Sequence, residues 1–118
     1  MNIKTYVMAG LVFLSTTFGA FAQETCINLN QLDAMAYENS YIKKNTISFE
    51  ILRDYVKEVH GLSIPEGQFD ESVAYFPSDE TNPMFIVFYF KDGCVVEKQI
   101  LPKEEFYRVM DFIKKHKG

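Results

Sequence analysis

Met84-Phe85-Ile86-Val87-Phe88-Tyr89-Phe90-Lys91, then Asp92-Gly93, then Cys94-Val95-Val96-Glu97-Lys98-Gln99-Ile100-Leu101, is the stretch from which the fold can be read. Two runs rich in β-branched and aromatic residues flank the dipeptide best suited to the two positive φ angles of a type I′ turn, so the stretch reads as a β-hairpin. A two-residue turn implies a register. Lys91 is expected opposite Cys94, Tyr89 opposite Val96, Val87 opposite Lys98 and Phe85 opposite Ile100 on one side; Phe90 with Val95, Phe88 with Glu97, Ile86 with Gln99 and Met84 with Leu101 share the other. The first run is apolar on both faces and reads as a central strand. The second, interrupted by Glu97, Lys98 and Gln99, reads as an edge.

Upstream, Ser72 to Phe76 reads as a further strand, joined to the hairpin by the polar loop from Pro77 to Pro83. Before it, Ile64-Pro65-Glu66-Gly67 reads as an irregular turn. Two helices are expected before that. One starts near Asn28 or Asn30, with Leu29, Leu32, Met35 and Ala36 on one face, and frays toward a connection over Lys43-Lys44-Asn45. The other starts at Thr46 or Ser48, buries Leu52, Tyr55, Val56 and Val59, and stops at Gly61 in a left-handed end. Downstream, Pro102 opens a last helix with Glu104 and Glu105 in its first turn and Phe106, Val109, Met110 and Ile113 as its apolar stripe. The expected fold is α+β: a three-stranded antiparallel sheet in sequence order, with two N-terminal helices, one C-terminal helix and one disulfide.

The start of the chain bears on the compartment. Lys4 precedes an apolar run from Tyr6 to about Phe18, and Ala20-Phe21-Ala22 has the small-x-small pattern of a cleavage site, so residues 1–22 read as a cleavable signal peptide of bacterial form. Ser15, Thr16, Thr17 and Gly19 interrupt the run, which argues against a membrane anchor. Residues 23–118 then form a single small domain in the periplasm or outside the cell. In that compartment the only two cysteines, Cys26 and Cys94, are expected to pair as a structural staple. If they do, the segment entering the first helix lies near the turn end of the hairpin.

The chain carries 12 basic and 16 acidic side chains. Losing Lys4 with the leader makes the mature chain one unit more negative than the −4 of the whole, a poor balance for nucleic acid. No Lys or Arg occurs between Lys57 and Lys91, a span containing Glu66, Asp70, Glu71, Asp79 and Glu80. This acidic belt is the candidate surface for a basic protein partner. The row Ile86, Phe88 and Phe90 is a candidate apolar surface for docking or homodimer formation if the helices leave that side of the sheet uncovered.

Catalytic patterns are missing from the sequence. There is no Gly-x-Ser-x-Gly elbow, no His-Glu-x-x-His helix and no phosphate-cradling Gly loop. His60 reads as a helix-end residue that meets free carbonyls. Glu66, Asp70 and Glu71 are close enough in sequence for an acid-base pair, or with Asp79 for calcium, but match no ordered cation loop. The expectation is therefore a non-enzymatic secreted or periplasmic protein, without metal or cofactor, that binds another protein in an inhibitor, immunity-like or envelope-assembly role. The exposed edge from Cys94 to Leu101 is a second contact region by strand addition. The alternatives are a carrier of a small apolar ligand using Tyr75, Phe85, Phe88, Phe90 and Phe106, or an enzyme with an unrecognised site built on His60.

Overall fold

The computed structural model describes residues 26–117, the side chain of Lys117 excepted; the expected leader and its cleavage site lie outside the described residues. The elements run α1 (Leu29–Glu38), β1 (Tyr41–Ser48), α2 (Phe49–His60), β2 (Glu71–Pro77), β3 (Met84–Lys91), β4 (Cys94–Pro102) and α3 (Lys103–Lys117). The four strands make one antiparallel sheet in the order β1-β2-β3-β4. It is an α+β domain with a Cys26–Cys94 disulfide, as expected, but with four strands rather than three.

The additional strand is β1, which separates the two helices that the sequence places side by side. Of its residues, Lys43, Lys44 and Asn45 were expected to form a connection, and Thr46 or Ser48 to open the second helix. Most of β1 is exposed, and only Ile47 is buried, so it has no apolar alternation that would mark a strand. Its hydrogen bonds to β2 hold it instead, with a bulge between Lys43 and Asn45. Lysines and a bulge on an outer strand also discourage pairing with other chains.

The helices straddle the sheet. On the inner face, α2 and α3 cover Ala74, Phe76, Phe85, Val87, Tyr89, Val96 and Leu101, with Phe49, Tyr55, Val56, Phe106, Val109 and Phe112 from the helices. On the outer face, α1 covers a smaller cluster of Leu32, Val73, Tyr75, Phe90 and Val95. Covering three helices' worth of sheet in this lopsided way leaves Ile86 and Phe88 only half-buried, while Ile100 is 52% exposed.

Local chemistry sets the helix ends. Asn28 accepts from the Gln31 N–H and Gln31 accepts from the Asn28 N–H, both at 2.9 Å, a reciprocal cap that opens α1. Gly61 closes α2 at φ 69°, a left-handed conformation that a residue without a Cβ adopts freely. The buried stripe of α2 differs from expectation at its end: Val59 is 45% exposed and His60 is buried. In α3 the stripe includes Phe112, a position the sequence reading passes over.

The hairpin turn is as expected, with φ positive at both Asp92 (53°) and Gly93 (80°), and Lys91 pairs with Cys94 and Phe90 with Val95. Beyond Val95 the expected register fails. Tyr89 pairs with Glu97, Phe88 with Lys98, Val87 with Gln99, Ile86 with Ile100 and Phe85 with Leu101, because a bulge inserts Val96 as an extra residue. One inserted residue turns every later side chain of β4 to the opposite face. Leu101 is thereby delivered to the inner core, Glu97 is carried into the interior with Val96, and Lys98 comes out beside Phe88.

The disulfide ties the start of the described chain to the turn end of β4, where the Val95 N–H donates to the Ile27 carbonyl at 2.9 Å. From there the chain passes to the outer face, where α1 packs.

Candidate functional site

The acidic residues do not form one surface. Glu71 pairs with Phe90 and Asp70 accepts from the Asp92 N–H, so both lie at the Asp92-Gly93 end of the sheet, while Glu66 pairs with Arg53 of α2. Asp79 and Glu80 lie in the loop between β2 and β3 at the opposite end, about 20 Å away at roughly 3.3 Å per strand residue. Several are also engaged within the chain. Glu66 pairs with Arg53 at 3.3 Å. Asp70 accepts from the Asp92 N–H at 2.8 Å and so braces the hairpin turn. Asp79 accepts from the N–H and the hydroxyl of Thr81, which holds its carboxyl below the usual carboxylate range.

The β4 edge is blunted. The Val95 N–H is taken by Ile27, the Lys98 N–H donates to the Glu97 carboxylate at 2.9 Å, and Pro102 has no N–H to offer. A strand added here would find few of the main-chain partners that strand addition uses.

Inside the inner layer lies a polar cluster that the sequence reading missed. The Tyr55 hydroxyl donates to Glu105 Oε2 at 2.6 Å, and His60 Nε2 lies 2.9 Å from the same oxygen. All three side chains are buried, and Glu105 Oε1 has no hydrogen-bond partner. Glu105 was expected merely to sit near the positive end of α3, and His60 to meet free carbonyls; the two pair with each other instead. Burial, together with the Glu105 carboxylate, holds the Tyr55 phenol well above its usual range. Nearby, the Tyr89 hydroxyl donates to Gln99 Oε1 at 2.5 Å, and burial likewise raises Tyr89. The adjoining cavity, lined by Glu105, Tyr89, Gln99, Phe85 and Phe106 among others, has a volume of only about 70 Å³. That is room for a few waters but not for a substrate of ordinary size. His60, buried with Tyr55 and Glu105, thus links the end of α2 to the start of α3.

On the outer face, the incomplete cover by α1 leaves a groove of about 380 Å³. Its walls are Leu32, Met35 and Ala36 from α1, and Ile86, Phe88, Val95 and Lys98 from β3 and β4, with Tyr75 between. Of the expected apolar row, Ile86 and Phe88 line this groove, whereas Phe90 is buried beneath α1. The five aromatic residues expected to share one ligand cavity are divided: Phe85 and Phe106 lie inside, and Tyr75, Phe88 and Phe90 outside. The Tyr75 hydroxyl donates to Asp33, and burial with that hydrogen bond raises its pKa. A signal for the groove was present in the sequence as the alternation of Ile86, Phe88 and Phe90, but the position of the bulge was not.

Among the described residues no group of three or more His, Cys, Asp or Glu is placed to hold a metal ion, and no helix is long and apolar enough to cross a membrane. No family model, no curated protein and no solved structure matches the chain.

Proposed function

We propose that this is a non-enzymatic binding protein of the bacterial envelope or exterior, and that it holds a small, mainly apolar molecule in the groove between α1 and the outer face of the sheet. The observation that carries this reading is the groove itself: an apolar recess of about 380 Å³, within the roughly 300–1,000 Å³ typical of small-molecule sites. Folding does not leave such surface open without cost, because apolar area contributes about 25 cal/mol per Å² when removed from water. A ligand that covers Phe88 and Ile86 recovers part of that contribution.

Capture of a basic protein by the acidic belt has weaker support, since its members stand at opposite ends of the sheet and three of them are engaged within the chain. Strand addition on β4 has weaker support because the edge is blunted.

The test is occupancy. Protein purified under native conditions should carry a small molecule that organic extraction releases, and the stripped protein should take up the neutral dye Nile red with a blue shift in emission. Ala36→Trp places an indole in the groove and should abolish uptake while leaving the circular dichroism spectrum unchanged. Dye binding that survives this variant, or none by the parent protein, would remove the groove as the working site.

A further inference from the structure

The groove has one charged side chain among its lining residues, Lys98. Its other polar lining residues, Tyr41, Tyr75 and Asn39, are neutral, and two are engaged: the Tyr75 hydroxyl on Asp33, and the Asn39 amide on the Met35 carbonyl at 2.7 Å. The Lys98 ammonium forms no hydrogen bond or ion pair among the described residues. Its charge interaction is with Glu97, which is buried and stands opposite Tyr89 of the inner face. The acidic side chains Asp33 and Glu71 are not among the lining residues, and Asp33 already pairs with Lys43 at 3.2 Å.

Lys98 reaches this position through the bulge at Val96. In an unbroken hairpin it would stand opposite Val87, which faces the inner core; the extra residue brings it opposite Phe88 instead. The same bulge carries Glu97 into the interior, where Oε2 lacks a partner, an arrangement that burial makes costly. Bulges frequently re-aim a side chain beside a functional site. A lysine on an outer strand often serves only to block pairing with another chain, but here Ile27, Glu97 and Pro102 already do so.

Resting on the groove as the binding site, we infer that its ligand is a single-chain amphipathic anion: a hydrocarbon chain against Phe88, Ile86, Leu32 and Ala36, with a carboxylate head paired to Lys98. An apolar recess with one cation at its solvent-facing rim matches such a molecule in both parts. The chain removes apolar surface from water, and the head stays near solvent, where an ion pair needs little desolvation.

The test compares three ligands that share a tail. Decanoate, decanol and decyltrimethylammonium are titrated into the stripped, disulfide-bonded protein at low ionic strength, with displacement of Nile red as the readout. Decanoate should bind about tenfold more tightly than decanol, and the cation more weakly than either. Lys98→Met should erase the advantage of decanoate and leave decanol within twofold of its parent value, whereas Lys98→Arg should retain it. Lys98 is exposed, so these variants should fold normally. Equal binding of decanoate and decanol, or preference for the cation, would overturn the head-group inference and leave the groove standing. Binding of none of the three would overturn both.

Discussion

His60 and Glu105, separated by 45 residues in the chain, meet in the interior with Nε2 of one 2.9 Å from Oε2 of the other. The contact joins the last turn of α2 to the first turn of α3, and Tyr55 donates its hydroxyl to the same oxygen. It is a polar link between two helices of a largely apolar inner layer, and its members depend on one another because each is buried.

Glu105→Ala should therefore destabilise by about 3 kcal/mol, since it leaves the Tyr55 hydroxyl and His60 Nε2 buried without their acceptor. Tyr55→Phe should cost less, about 1 kcal/mol, because Glu105 keeps His60. Urea unfolding at neutral pH measures both. Equal, negligible losses would mean that the cluster contributes nothing to stability.

Glu97 offers a change in the opposite direction. Its carboxyl is pushed above the ordinary range by burial, against the opposing pull of the Lys98 N–H and charge. A carboxyl with a raised folded-state pKa binds more protons folded than unfolded. Stability from this group is thus full below the unfolded value of about 4.3 and declines as pH rises through the folded value. Glu97→Gln should stabilise the protein at pH 7 and flatten this part of the pH profile. Melting temperature measured from pH 4 to 8 in both proteins would reveal a parallel pair of curves if the argument is wrong.

At alkaline pH three tyrosines act together. Tyr55, Tyr75 and Tyr89 all have pKa values raised by burial, and for Tyr55 and Tyr75 the hydrogen bond to a carboxylate adds to the effect. The unfolded chain releases these protons first, so stability should fall as pH rises beyond the unfolded value of about 10. Ultraviolet titration should show tyrosines that ionise only on unfolding, fewer in Tyr75→Phe than in the parent.

The disulfide closes a long loop, with 68 positions separating its cysteines. Cys26→Ser with Cys94→Ser should lower stability by up to about 4 kcal/mol on the chain-entropy estimate for a loop of this length. The loss should also loosen α1, because the bond holds the segment that enters that helix. Hydrogen exchange should then quicken in α1 before it does in β2 or β3; uniform acceleration would contradict that reading.

Much of the architecture was legible because it is written in local chemistry. Asp92-Gly93 has one good backbone solution, Asn28 can cap a helix with its side chain, and Gly61 can end a helix where another residue would strain. A chain with only two cysteines leaves a single intramolecular pairing, so Cys26 and Cys94 could be joined on paper. The aromatic richness of Met84 to Phe90 marked a central strand for the same local reason.

Tertiary structure decided the rest. β1 is a strand because β2 supplies its hydrogen bonds, which no pattern within Tyr41–Ser48 announces. The bulge at Val96 turns Leu101 to the inner core, Lys98 to the groove and Glu97 inside, and no local pattern marks its position. The division of the acidic residues between two ends of the sheet, and the meeting of His60 with Glu105, are likewise products of strand register and helix packing. Turns and caps depend on neighbours a few residues apart, whereas faces, edges and buried pairs depend on which distant surfaces exclude water together.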